Sequence, residues 1–295
     1  MLIPGWLTPR FEKLISRLTA GRLHHGLLLT GPAGIGKQVL ANALSNTILC
    51  KQRRPQGACG QCQACKLFAA GTHPDMAELT SEKQLGVDAI RQGISRLNAT
   101  AQLNGNKVLV IPRAEKMTEP AANALLKTLE EPTNNTFILL LTARPQQLLP
   151  TIISRCEKHI FPAPASAEAL QWLQEQGIND ASPALLHAYG GAPFALLESL
   201  QQEKGLEYRA FSEGIEALLA GNKDAVTLSS EWQEHAERIV GWLQQYAHSQ
   251  CVQYPEKASM DLFEACTRAR KTLQNPGVNK AMILSCLLAE IKQAR

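Results

Sequence analysis

Three groups of residues have the types and spacing to do chemistry. Gly31-Pro-Ala-Gly34-Ile-Gly36-Lys37 matches G-x-x-x-x-G-K. Such glycines let backbone N–H groups face phosphate oxygens at a helix N-terminus, and Lys37 adds a point charge for the outer phosphates. The next position should carry a hydroxyl for Mg²⁺, but here it is Gln38, whose amide is a poor substitute. A glycine turn without a ligand is the plain alternative. The second group is Cys50, Cys59, Cys62 and Cys65, spaced C-x8-C-x2-C-x2-C. Four thiolates suit tetrahedral Zn²⁺, and two C-x2-C steps let one tight loop supply three ligands. Four protein ligands leave no open position, so the zinc would be structural. An iron–sulfur cluster is a weaker alternative, and four free thiols a third. The last is Arg155 in Ser154-Arg155-Cys156, for which spacing alone favours a local ion pair with an acid.

An absence matters as much. Val108-Leu109-Val110-Ile111 is a β-branched run that suits a buried parallel strand. In a P-loop NTPase such a strand ends in an acid that serves the metal. Here Pro112 and Arg113 follow. The chain therefore has the cradle for a nucleotide and lacks the carboxylate that would help hydrolyse it. Occupancy by ATP or ADP stays open.

The elements that must position these groups are legible. Residues 11–20 read as a short amphipathic helix, 24–30 as a strand entering the glycine loop, and 37–50 as a helix. Strand, glycine loop and helix are the context a phosphate loop requires. The cysteine segment interrupts the pattern as an insertion. Asp88–Asn98 reads as a helix, and Thr118 can cap the next one, with Pro120 tolerated in its first turn. Pro132 stops that helix after Leu129-Glu130-Glu131. Phe137–Leu141 is a further apolar strand, and Pro150–Ser154 opens a short helical piece before Ile160-Phe161. Strands alternating with helices imply a parallel sheet covered on both faces. Pro162-Ala163-Pro164 reads as a linker, after which no strand is evident. Residues 166–200 suit three helices broken at Gly177 and Gly190-Gly191. Residues 206–295 suit a helical domain with a turn at Asn275-Pro276-Gly277. Asn279 caps its last helix, whose run Ala281–Leu288 is apolar on nearly all sides and is expected to be buried.

Bulk properties narrow the classes. A length of 295 residues allows two or three domains. The net charge of +4, from 30 basic and 26 acidic residues, is too mild to argue by itself for nucleic-acid binding. No apolar run reaches the roughly 18–20 residues that span a bilayer. The N-terminus lacks the basic and apolar regions of a signal peptide, so a soluble cytoplasmic protein is expected. A cytoplasmic cysteine cluster suggests metal rather than disulfides.

Asn123-Ala-Leu-Leu-Lys-Thr-Leu-Glu-Glu-Pro132, the strand to Thr142 and Ser154-Arg155-Cys156 together resemble the bacterial clamp-loader branch of the AAA+ superfamily. Thr72-His-Pro-Asp75 and Leu85-Gly-Val-Asp-Ala-Ile-Arg91 add to the likeness. The resemblance covers about 1–200 well and 206–295 only in helical character. It implies an α/β P-loop AAA+ domain over 1–164 with a zinc-binding insertion at 50–65. A helical lid over 165–205 and an all-α oligomerisation collar over 206–295 would follow. ATPase subunits of that branch carry an Asp-Glu pair where this chain has Pro112-Arg113. They also carry a lid arginine near Pro193-Phe194. Lacking both, the chain resembles the non-hydrolysing kind of subunit. The resemblance implies ATPase partners of the gamma/tau kind, a delta partner, and a sliding clamp and primed DNA reached through the complex at the replisome. It also moves Arg155 from a local pair to an arginine finger acting in trans on a neighbour's ATP. An active ATPase subunit is the runner-up, although Glu115 lies three residues past the usual acid. A stand-alone zinc-dependent DNA-binding module is disfavoured by the closed metal site and the weak net charge.

Overall fold

A computed structural model describes residues 3–81, 83–103, 105–178, 181–201, 208–253, 256–273, 275 and 277–293. It divides into two compact units, Met1–Pro164 and Ala165–Arg295. The expected boundary at 205/206 and Pro276 of the expected turn lie outside the described residues.

The first unit is built on a five-stranded parallel sheet. Its strands are β1 (Gly26–Thr30), β2 (Met76–Glu78), β3 (Lys107–Ile111), β4 (Thr136–Thr142) and β5 (Glu157–Ile160), in the order β2-β3-β4-β1-β5. β1 and β3 are buried along their whole length, as continuous apolar runs require of strands covered on both faces. The unit's helices are α1 (Thr8–Thr19), α2 (Lys37–Leu49), α3 (Gln63–Ala69), α4 (Val87–Asn98), α5 (Glu119–Glu130) and α6 (Pro150–Ser154). Thr118 caps α5, its hydroxyl accepting from Ala121 N at 3.3 Å, with Pro120 in the first turn. The helix ends at Glu130, just before Pro132. β2 and β5 did not stand out as strands in the sequence. β2 has only three residues, and β5 alternates half-buried and exposed positions at a sheet edge.

Lys107 begins β3 yet is buried. Its ammonium donates to Leu97 O, to Ala99 O at 3.0 Å and to Thr133 Oγ1 at 3.1 Å. It thereby satisfies carbonyls at the C-terminal end of α4, where the helix dipole also favours a cation.

The second unit is helical among its described residues. Helices α7 (Ser166–Glu175), α8 (Pro183–Ala188) and α9 (Pro193–Gln201) enclose a small core of Ala169, Leu173, Leu186, Leu196 and Leu197. Helices α10 (Tyr208–Leu219), α11 (Ala225–Trp232), α12 (Ala236–Gln253), α13 (Lys257–Thr272) and α14 (Lys280–Gln293) surround a larger one. Phe211 stands at its centre, 5.6 Å from the Trp232 ring and 5.2 Å from the Trp242 ring. Asn279 caps α14, with Oδ1 accepting from Met282 N at 3.0 Å. The expectation that α14 would be buried on nearly all sides fails. Leu284, Leu287, Leu288 and Ile291 form the buried stripe at i, i+3, i+4 and i+7. The opposite face shows Met282, 66% exposed, and an exposed Cys286.

Candidate functional site

β1 delivers the chain into the glycine loop, and α2 leaves it. Gly31 has φ +154°, and a Cβ there would stand 2.1 Å from Phe161 O, so only glycine fits. Gly36 caps α2 with φ +95°, in the left-handed region. The loop is held from outside by Trp6, whose indole N–H donates to Ile35 O at 2.9 Å.

Lys37 is buried, and its ammonium turns back on its own loop. It donates to Gly31 O at 2.7 Å and to Pro32 O at 2.5 Å. A phosphate would have to replace these carbonyls. Burial lowers the Lys37 pKa to about 8, partly opposed by the Glu115 carboxylate. Glu115 lies in the 3-10 turn Ala114–Lys116 just beyond β3, and its Oε2 is buried without a hydrogen-bond partner. Sequence spacing did not foresee that its charge bears on Lys37. Gln38 directs its amide away from the loop. Its Nε2 donates to Asn42 Oδ1 at 3.2 Å and Glu78 Oε1 at 3.3 Å. Burial pushes the Glu78 carboxyl above the ordinary range. Glu78 pairs with Val110 near the end of β3, a placement made only by the sheet.

β3 itself ends at Ile111 and runs into Pro112 and Arg113. The Arg113 guanidinium donates to Ser81 O at 3.0 Å. Pro112 has no side-chain group for a metal or water, and Arg113 brings a cation where catalysis of phosphoryl transfer needs an anion.

Arg155 follows α6 and is met by Glu130 at the end of α5. Nε and Nη2 both reach Glu130 Oε1, at 2.6 and 2.5 Å. Nη1 donates to Thr151 O at 3.1 Å and Ser154 Oγ at 3.3 Å. The edge of the guanidinium that would grip a phosphate is thus occupied by a carboxylate, an anion of similar geometry. Both side chains are partly exposed, 34% for Arg155 and 47% for Glu130, so the pair is weak, about 0–1 kcal/mol. Glu130 belongs to the Leu-Glu-Glu-Pro run that marked the helix end, but nothing in its spacing linked it to Arg155.

The cysteines come together. All four Sγ atoms lie within 4.8 Å of one another, with Cys50–Cys62 and Cys59–Cys65 each at 3.9 Å. Zinc–sulfur bonds of about 2.3 Å in a tetrahedron give sulfur–sulfur edges of about 3.8 Å. The set fits a metal such as zinc. Cys50 caps the end of α2, and Cys62 begins α3. Backbone N–H groups of Cys59 and Cys62 donate to Cys50 Sγ and Cys59 Sγ, each at 3.3 Å. Such donors stabilise thiolates. Burial works to raise the Cys62 thiol, but hydrogen bonds from the Cys65 and Lys51 backbone outweigh it and bring the pKa to about 6. Burial pushes Cys65 upward instead.

These groups do not form one centre. The loop and β3 make a phosphate-type cradle, Arg155 stands beside the end of α5, and the cysteines make a separate knuckle.

Comparison with known proteins gives a consistent picture. The family described as "DNA polymerase III, delta subunit" matches residues 7–165. DNA polymerase III subunit delta' of Escherichia coli (strain K12) is 44% identical over 201 residues, covering 66% of this chain and 60% of that protein. The subunit delta' of Pseudomonas aeruginosa is 41% identical, covering 76% and 70%. That of Yersinia pestis is 39% identical, covering 81% and 73%. The matched part is thus less than two thirds of the Escherichia coli relative's length. A DNA polymerase III gamma subunit-related protein from Thermotoga maritima shares the fold, with a TM-score of 0.55 over 98% of this chain and 99% of that one, at 20% identity.

Proposed function

The chain belongs to the DNA polymerase III delta' family, and from that membership we propose that it is a non-hydrolysing subunit of a clamp loader. In this reading it joins ATPase subunits of the gamma/tau kind and a delta subunit in a ring that places a sliding clamp on primed DNA. The complex works in the cytoplasm, at the replisome. Residues 1–164 are the AAA+ domain, 165–205 a lid and 206–295 the collar that closes the ring. Zinc held by Cys50, Cys59, Cys62 and Cys65 is structural.

One observation carries the non-hydrolysing part: β3 ends in Pro112 and Arg113, without an acid. Phosphoryl transfer is catalysed almost entirely by positioning and charge, and neither residue can hold Mg²⁺ or orient water. Gln38 and the internal bonds of Lys37 point the same way. The loop formed by Gly31, Gly34, Gly36, Lys37 and Gln38 then serves chiefly to shape the subunit, and any nucleotide it takes is not turned over. The chain's contribution to catalysis is Arg155. On assembly its guanidinium exchanges Glu130 for the γ-phosphate of ATP on the neighbouring subunit.

A second reading, an active ATPase subunit, is favoured by the acids Glu115 and Glu78 beside Lys37 and Gln38. ATP turnover by the purified chain separates the two. No turnover that Lys37→Ala removes is expected. A rate near 1 s⁻¹ that Lys37→Ala removes, and that Glu115→Gln or Glu78→Gln also removes, would make this an ATPase.

A further inference from the structure

The net charge of +4 conceals a strong segregation. No Asp or Glu occurs between Glu12 and Asp75, whereas Lys13, Arg17, Arg22, Lys37, Lys51, Arg53, Arg54 and Lys66 all fall in that stretch. These eight cations leave 22 for the rest of the chain, against all 26 acids. Arg17 and Lys37 have internal work. Arg17 pairs with Glu157, and Lys37 is buried in the glycine loop. Four others decorate the cysteine knuckle. Lys51 follows Cys50, Lys66 follows Cys65, and Arg53 and Arg54 occupy the turn between Cys50 and Cys59. With the four sulfurs within 4.8 Å of one another, the fold gathers these cations on one small body.

All four are exposed. Among the described residues no acid pairs with Arg53, Arg54 or Lys66. Arg53 Nε donates to Cys50 O at 3.3 Å, which ties this exposed side chain to the knuckle. A bare bridge between Arg54 and Gly57 stiffens the turn. Four thiolates around Zn²⁺ carry a net charge of −2, but Cys50, Cys59 and Cys65 are buried beneath this surface.

From this arrangement we infer that the knuckle is a contact for the phosphodiester backbone of DNA. The composition chooses the partner. Between Lys51 and Lys66 there is no aromatic, no Leu, Ile, Val or Met, and no acid. The other exposed side chains there include Gln52, Gln56, Gln61 and Gln63. A surface for a folded protein would need buried aromatic or apolar anchors, and this one has none. Lys, Arg and Gln are among the side chains that contact phosphate oxygens. With no ring to stack on a base, the contact would be independent of sequence. It is distinct from the glycine loop and from Arg155, and it does not rest on the clamp-loader reading.

The test is the affinity of the zinc-loaded full chain for a fluorescent 30-base-pair duplex, measured over a range of salt concentrations. Each phosphate contact contributes about 0.9 to the slope of log K against log salt. The R53Q/R54Q/K66Q variant should bind at least tenfold more weakly at low salt, with a slope shallower by about 2 to 3. Its zinc content and melting temperature should match the wild type. Chelation of the metal should weaken DNA binding by the wild type. Independently of any variant, duplex should protect Lys66 from acetylation in the wild-type chain. An unchanged slope in a folded variant, with Lys66 equally acetylated with and without DNA, would overturn the inference. So would displacement of the duplex by polyglutamate at equal charge concentration, which would make the knuckle a site for acidic polypeptides.

Discussion

At the scale of single residues, the candidate groups already have internal partners. Arg155 is held by Glu130, and Lys37 by its own loop. Arg155→Ala should cost the fold only about 0–1 kcal/mol, because the pair is partly exposed. If Arg155 is the proposed finger, the same change in a reconstituted ring should remove most ATP turnover at the one neighbouring site, since a finger is worth about 10³–10⁵ in rate in related systems. Arg155→Lys should rescue it incompletely, an ammonium lacking the planar fork. Glu130→Gln, which weakens the competing carboxylate, should leave that turnover at or above the wild-type level. A ring carrying Arg155→Ala with wild-type DNA- and clamp-stimulated ATPase would return Arg155 to a surface ion pair. Lys37 gives a prediction in pH. Its folded pKa of about 8 lies below the ordinary lysine value of 10.5, so between these values the unfolded chain binds the extra proton. Stability contributed through Lys37 therefore rises as pH climbs from about 8 to 10.5, as the cost of burying its charge is relieved. Denaturant titrations of wild type and Lys37→Met at pH 7.5 and 10 should show the wild type gaining relative to the variant at the higher pH.

At the scale of elements, two local assemblies can be challenged. The knuckle joins the end of α2 to α3, and its core consists of Cys50, Cys59 and Cys65 with few apolar neighbours. So small a core cannot hold the segment alone, and bound metal should supply much of its stability. Purified protein should contain close to one equivalent of zinc. Chelation should expose four titratable thiols and open residues 50–65 to protease before the sheet unfolds. In the second unit, Gly214 sits within α10 beneath Trp232. A Cβ there would stand 2.5 Å from Cζ2 of that ring. Gly→Ala in a helix ordinarily gains about 1 kcal/mol. Here overpacking should win, and Gly214→Ala should lower the midpoint of denaturant unfolding by the equivalent of about 1–3 kcal/mol.

At the scale of the whole molecule, the two units divide the labour that the proposal requires. The sheet unit carries the cradle, Arg155 and the knuckle, while the described residues of the helical unit carry no comparable cluster. What α14 offers instead is an apolar outer face. Met282 and Cys286 border a cavity of about 300 Å³ lined also by Ala269, Val278, Ile283 and Leu287. No described helix is long and apolar enough to cross a membrane. If this face closes the ring, Met282→Glu should leave the melting temperature of the isolated chain nearly unchanged. It should also weaken assembly with the partner subunits, read by sedimentation at micromolar concentration. Unimpaired assembly would move the interface elsewhere.

The sequence by itself determined the elements whose signals are local. The apolar runs of β1, β3 and β4, the Thr118 cap with Pro120, the Asn279 cap and the cysteine spacing each depend on neighbours a few residues away. So did the absence of an acid after Ile111, because a strand end is fixed by its own run. The tertiary structure alone decided what depends on distant segments. β2 and β5 are too short or too polar to announce themselves, and they are strands because β3 and β1 lend them hydrogen bonds. Glu130 meets Arg155 across 25 residues, and Gln38 meets Glu78 across 40, so no spacing rule connects them. The exposure of the outer face of α14 is decided in the same way. An all-round apolar helix looks buried in sequence, but only the packing of α11, α12 and α13 determines which stripe has a partner.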